Sequence, residues 1–415
     1  MALDLLLRNA RLPDGTATDI GVKDGLIAAL APNLAADVAE VIDCAGRLVS
    51  PGFVETHIHL DKTCTIDRCA CETARFPHHA MERTSAIKHT FTVEDVTDRA
   101  RRTLEKCIGH GTTLMRTHAE VDPKVGLRGF EGVKALVDEY KWAIDIEICV
   151  MPQEGLLNNP GTDELMVAAL RNGARVVGAA PSYDTDPAGQ IRRVFELARE
   201  YDADIDMHVD SGSSAAHLDT RLVCDLTEQY GWGGRVACGH LTKLSVMPLP
   251  ELDAMAKRMA DAGVALTVLP ATDVYLGGRD KDHRIERSVA DANRLHRLGV
   301  TCSISSNNIL NAFTPMGDGQ LIRMANLYAN VTQHAMPDDL RETWSMFTTE
   351  SARLMRRRDY GITVGNPADL TLIDAPDPVA AIREVAPVLA AFKRGRRSAT
   401  RQPVTLHRPP LHWPE

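Results

Sequence analysis

The sequence predicts an α/β fold: a (β/α)8 barrel carrying a small β-sandwich domain built from both termini. Eight short apolar runs recur through the middle of the chain, and an amphipathic stretch with helical spacing precedes most of them. Polar and ligating residues gather at the C-terminal ends of those runs, where such a barrel carries its reactive groups. A strand-rich and turn-rich texture opens the chain and returns near its end. The expected boundaries are 1–50 and 362–415 for the sandwich and 51–361 for the barrel.

In order, Leu3 to Arg8, Asp19 to Val22, Leu26 to Ala29 and Val41 to Asp43 read as short strands, with Asp14-Gly15 and Asp24-Gly25 as hairpin turns. The segment PGFVETHIHLDKT, Pro51 to Thr63, opens the barrel with a strand over Phe53 to Ile58. The remaining barrel strands are expected at Thr113 to Thr117, Ile144 to Val150, Val176 to Ala180, Ile205 to Met207, Val236 to Cys238, Val264 to Leu269 and Thr301 to Ile304. Helices are expected at Val93 to Ile108, Gly132 to Trp142, Asp163 to Arg171, Gln190 to Tyr201, Leu218 to Tyr230, Glu251 to Ala262 and Ile285 to Leu298. Leu370 to Ile373 and Val388 to Arg394 return to the sandwich. A doubly wound open sheet is the competing architecture, but no glycine-rich phosphate fingerprint follows the first strand.

Composition narrows the partners. A 415-residue chain with 44% hydrophobic residues is long enough for a large core, and its net charge of −9 argues against nucleic acid or an anionic membrane. No secretory leader or apolar span is recognisable, and nine cysteines without a regular framework suggest a cytoplasmic chain with reduced thiols.

His57 and His59 straddle one residue, so in a strand both imidazoles face one point beyond its end. One strand can thus offer two ligands to one divalent ion, zinc or iron among the borderline metals. The other strand ends carry Thr117-His118, Gln153, Tyr183-Asp184, His208-Val209-Asp210, Gly239-His240, Pro270 to Asp273, and Asn307-Asn308. The long segment Cys64 to Ala86 reads as a lid, although Cys64, Cys69, Cys71, His78 and His79 could in principle hold a second zinc. Ala271 to His283 is expected to close the site from the other side. Leu321 to Val331 reads as core or an oligomer contact.

PGFVETHIHLDK, the His208 and His240 strand ends, RTHAEVD, MPQEG, PMGDG and the late YGITVGNPADLTLID together resemble the amidohydrolase superfamily. Within it the resemblance is to the cytosine deaminase and N-isopropylammelide isopropylaminohydrolase-like group. The resemblance implies that His57, His59 and His208 are metal ligands, that His240 polarises water or the leaving group, and that Gln153 reads a cyclic N–C=O edge. It also matches Lys62 to a lysine just after the H-x-H, and implies a homo-oligomer.

Two positions depart from that group. Asn307, followed by Asn308, stands where a metal-binding aspartate base is expected, and Ser211 stands where cytosine deaminases carry a glutamate. An amide cannot take a proton from water at neutral pH. Proton transfer would then fall to Asp210, His240 or Lys62, with Asp210 preferred for its place beside His208, although a helix-capping role suits it equally. Asn307 would be a weak neutral ligand, with His118 and Asn308 beside the substrate. The expected activity is metal-dependent hydrolysis of a C–N bond in a small nitrogen heterocycle, releasing ammonia or an amine. A ring-opening cyclic amidohydrolase and a metal-free binding protein on the same scaffold are the alternatives.

Overall fold

The computed structural model describes residues 2–69, 77–279 and 281–407. Eight parallel strands follow one another in chain order: Phe53–Ile58, Thr112–Glu120, Asp145–Met151, Val176–Ala179, Asp204–Val209, Val236–His240, Val264–Val268 and Cys302–Ile304. Hydrogen bonds from Asn307 N to His57 O (2.9 Å) and from His59 N to Asn307 O (3.0 Å) join the last strand end to the first. The ring therefore closes through the H-x-H segment itself, placing Asn307 between its two histidines.

The helices lie where amphipathic spacing puts them, with one difference. Val93–Gly109 begins where the Thr92 side chain accepts from Asp95 N (3.1 Å), an N-cap that satisfies a donor the helix cannot. In place of a helix over Ile285 to Leu298 there is only Ala292–Arg297. Arg284 and Ser288 adopt positive φ (51° and 54°), which interrupts helical backbone, and Asp291 caps the short helix by accepting from Arg294 N (3.0 Å). Leu321–Thr332 buries Leu321, Ile322, Met324, Ala325 and Tyr328 against the core.

The terminal strands form a second sheet of eight strands. Leu48–Pro51 pairs antiparallel with Leu370–Ile373, which pairs with Val388–Lys393, so the two ends of the chain share one sheet. Ala2–Arg11 pairs with Asp37–Asp43 along its first part and meets Leu48 at Arg11, so the sheet branches there around Leu5, Leu7, Ile20, Val49 and Phe392. Asp24 and Gly25 both take positive φ (53° and 79°), the conformation a two-residue hairpin turn requires. Gly52 joins this sheet to the barrel. A Cβ there would lie 2.2 Å from Thr113 Oγ1, so only glycine lets the first barrel strand approach the second.

Candidate metal centre and cavity

Strand periodicity converges the histidines as expected. His57 Nε2 lies 3.0 Å and His59 Nε2 2.9 Å from His208 Nε2; His57 and His59 are buried and His208 is half-buried at the cavity. Gly239 makes room for this: a Cβ there would be 2.9 Å from His57 Cε1.

The protonation pattern follows from the second layer. Asp206 lies two residues before His208 in the same strand, and its Oδ1 accepts from His57 Nδ1 (3.1 Å) while Oδ2 accepts from Arg116 Nη1 (3.1 Å). Burial opposes charge on Asp206, yet the facing His57 and His118 rings keep its carboxyl well below the usual range. With its Nδ1–H so engaged, His57 presents a lone pair at Nε2. Burial and neighbouring imidazoles bring His57 down to about 3 and push His59 and His208 well below their ordinary value, so all three rings are neutral donors at pH 7. His208 Nε2 faces two other Nε2 atoms and can satisfy only one of them by a hydrogen bond. The two separations, 3.0 and 2.9 Å, are close to the roughly 3.3 Å between tetrahedral ligands about 2.0–2.1 Å from zinc, so the donors fit a shared divalent ion.

His118 sits elsewhere than the substrate-binding expectation. It is fully buried, its ring 4.0 Å from that of His57 and its Nε2 3.5 Å from Asp206 Oδ1, so it backs the histidine cluster instead of lining the cavity. It can join His57 and His59 in a three-histidine group, as His240 can with His57 and His208. Among the described residues no metal-capable group contains a cysteine; Cys71 and the His78 side chain lie outside them. Cys69 packs with Ala80, Ala312 and Phe313, tying the segment after the first strand to the cavity wall at Phe313.

The cavity holds about 300 Å³, and its lining includes His59, His208, His240, Gln153 and Asn308. That is the small end of ligand-site volumes, which suits one ring with a substituent. Lys62 is buried beneath it, with Nζ paired to Glu120, 3.3 Å from Gln153 Oε1 and 4.6 Å from the centre of the Phe313 ring. An ammonium only donates, so the Gln153 oxygen must face it and the amide NH2 faces the cavity. Lys88 lies 2.7 Å from each of Glu120, Asp122 and Glu154. Burial alone would raise Glu120, but the Lys62 and Lys88 ammoniums outweigh it and bring Glu120 down to about 2.

Asp210 is placed as a cap, not as a base. Its oxygens accept from Asp219 N (3.0 Å), Thr220 N (2.9 Å), Thr220 Oγ1 (2.5 Å) and Lys243 Nζ (3.1 Å), which occupies the carboxylate against the helix Asp219–Tyr230. The group that does face the cavity with an orienting partner is His240. Its Nδ1 lies 2.6 Å from Asp273 Oδ1, and Asp273 Oδ2 accepts from Leu269 N (3.0 Å). His240 and Leu241 hold positive φ (75° and 47°), the kind of backbone strain found where surrounding structure dictates a side chain's aim.

A chain of amides ends on the same ring. Phe313 N and Thr314 N donate to Asn311 Oδ1, Asn311 Nδ2 to Asn308 Oδ1, and Asn308 Nδ2 to Asn307 Oδ1. Backbone donors set the direction of the series, so Asn307 Nδ2 is the atom facing His240 Nε2, at 3.5 Å. Nε2 is therefore the accepting nitrogen and Nδ1 carries the proton toward Asp273.

Comparison with known proteins agrees with this architecture. A family model described as "Amidohydrolase family" matches residues 48–397, most of the chain. This protein belongs to the amidohydrolase family. Among its relatives, the N-isopropylammelide isopropyl amidohydrolase of Pseudomonas sp. (strain ADP) is 28% identical over 405 residues, covering 95% of this chain and 96% of that protein. A pterin deaminase of Rhizobium rhizogenes is 26% identical, covering 86% and 82% respectively. The 5-methylcytosine deaminase of Klebsiella pneumoniae, solved with 5-fluorocytosine, superposes with a TM-score of 0.92 at 27% identity, covering 97% of this amidohydrolase and 99% of that chain. No helix among the described residues is long and apolar enough to cross a membrane.

Sequence reasoning overlooked Asp206 and took Asp273 only as part of a closing segment. A signal for Asp206 exists: a carboxylate in an apolar strand run, two residues before a histidine, must share that histidine's face. No local signal pairs Asp273 with His240, which stands 33 positions away.

Proposed function

We propose that this amidohydrolase removes an amino or alkylamino substituent from a carbon of a small nitrogen heterocycle, using one divalent ion, zinc or iron, held by His57, His59 and His208. The observation that carries the reading is the convergence of three neutral imidazole Nε2 atoms beside a cavity that also presents the His240–Asp273 pair and the Gln153 amide. The relatives named above, an isopropylammelide hydrolase and two deaminases of ring systems, support the substrate class.

A divalent ion held by His57, His59 and His208 would supply Lewis acidity and make water acidic near neutral pH. His240 Nε2 accepts the proton of the water that adds to the ring carbon, and Asp273 stabilises the imidazolium so formed. The same nitrogen then returns the proton to the departing nitrogen, so the C–N bond breaks to give ammonia or an amine and the ring gains a carbonyl. Gln153 donates its NH2 to an acceptor on the ring and fixes its orientation, with its oxygen held by Lys62. Lys62 acts through Gln153 and Glu120, and Asn307 through the His240 tautomer; neither carries the proton.

The test is metal content by elemental analysis of protein purified without added metal, beside a His57→Ala/His59→Ala variant. It is coupled to ammonia or amine release from aminated pyrimidines, pterins and triazines. About one zinc or iron per chain, absent from the variant, together with amine release, supports the reading. Ring opening without amine release replaces it with a cyclic amidohydrolase, and absence of both metal and turnover refutes it.

A further inference from the structure

Of the histidines gathered at the strand ends, His118 is the one the proposed chemistry does not use. It is fully buried on the second barrel strand, behind the cluster. Its Nε2 stands 3.5 Å from Asp206 Oδ1, the oxygen that also accepts from His57 Nδ1, and its Nδ1 has no hydrogen-bond partner among the described residues. A carboxylate only accepts, so the proton of His118 belongs on Nε2 and a lone pair on Nδ1. Leaving such a group unpaired in the interior costs about 1–3 kcal/mol, a cost that a bound cation relieves. Both nitrogens of His240, by contrast, have partners in Asp273 and Asn307.

The rings of His57, His59, His118 and His208 are also spaced for one ion. Their ring-centre separations run from 4.0 Å (His57 to His118) to 5.7 Å (His57 to His59), with His118 5.1 Å from His59 and 4.9 Å from His208. Imidazoles about 2.0–2.1 Å from a shared zinc and about 90–120° apart place their ring centres about 4.5–5.5 Å from one another. A ring nitrogen of His118 lies within 4.8 Å of ring nitrogens of both His57 and His59. Asp206 lies against His57 and His118 together, and a carboxylate behind two imidazoles is the usual second layer of a metal site. Asn307 is a poor competitor for the same ion: its amide oxygen already accepts from Asn308 Nδ2, and its Nδ2 faces His240.

We infer that His118 is a fourth imidazole ligand of the metal centre, reaching the ion from the barrel interior beside His57, His59 and His208 and leaving its cavity side to water and substrate. This rests on the metal-centre reading above and adds a ligand to it. The test is X-ray absorption at the zinc edge on the full chain loaded with zinc, in the parent and in His118→Gln, whose amide keeps a donor for Asp206 but is no imidazole. Four imidazoles should fit the parent and three the variant. Zinc affinity, from competition with a chromophoric chelator, should fall about tenfold or more in His118→Gln. Should the melting curve show that His118→Gln does not fold, His240→Gln takes its place and should keep all four. Three imidazoles in the parent overturn the inference even where His118→Gln weakens zinc binding, since His118 would then only position the other rings. A fourth imidazole that survives in His118→Gln, or is lost in His240→Gln, belongs to another histidine and overturns it as well. A parent that binds no zinc overturns this inference and the hydrolase reading together. Otherwise the two fail separately: four imidazoles without amine release sink the hydrolase reading alone, and amine release from a three-imidazole site sinks this one alone.

Discussion

Replacing Asp273 by asparagine tests the proposed proton path at its least obvious member. Leu269 N–H donates to Asp273 Oδ2, so the amide oxygen of an asparagine there must face Leu269 and its NH2 must face His240 Nδ1. A donor now confronts Nδ1, and the imidazole has to move its proton to Nε2. There it meets Asn307 Nδ2, whose direction is set by the amide series from Phe313 and Thr314. The ring can no longer accept a proton from water in that tautomer. The bond lost is short, at 2.6 Å, and its carboxylate side chain is only 1% exposed, so its charge assistance is worth about 1.5–3 kcal/mol before the tautomer is counted. Loss of an oriented base lowers kcat by on the order of 10²- to 10⁴-fold. The assay is initial-rate amine release at saturating substrate, with metal content and unfolding midpoint measured on the same preparation. A kcat within about threefold of the parent, with metal retained, would refute the reasoning, because about 0.6 kcal/mol is too little for the loss of a catalytic base.

Other perturbations separate neighbouring roles. Gly239→Ala leaves every candidate ligand in place but sets a methyl 2.9 Å from His57 Cε1; metal content should fall several-fold, and full metal content would show that the ring has room to shift. Asp210→Asn weakens the start of Asp219–Tyr230 and the Lys243 pair, so it should cost about 1–3 kcal/mol in urea unfolding while kcat stays within a few-fold. A kcat loss of 100-fold or more, far above that few-fold allowance for an indirect effect, would restore Asp210 as the base. Glu120→Gln leaves two buried ammoniums short of a partner and should destabilise by about 3–5 kcal/mol at pH 7. Glu120 has its folded pKa depressed from 4.5 to about 2, so its contribution is fully present above pH 4.5 and fades as pH falls toward 2. The stability gap between parent and variant should therefore narrow over that window, and a gap constant from pH 7 to 3, a span that includes most of it, would argue against this account.

What the sequence determines by itself is periodic or local. Alternation of strand and helix specifies the barrel, the period of two aims His57 and His59 at one point, and positive-φ pairs such as Asp24-Gly25 set the hairpins. These features depend on residues a few positions apart, whose relative direction is set by backbone geometry alone. Tertiary structure decides which carboxylate each histidine or lysine meets. Asp210 stands two residues from His208 yet turns to the helix Asp219–Tyr230, because a helix start offers two backbone donors that no cavity group matches. Asp273, far along the chain, reaches His240 instead. His118 falls behind the cluster, since the second strand packs directly against the first. Barrel closure brings together strand ends up to 251 residues apart, as when Ser306 N donates to Glu55. Contacts of that separation leave no periodic trace in the sequence, and the site's second layer is made of them.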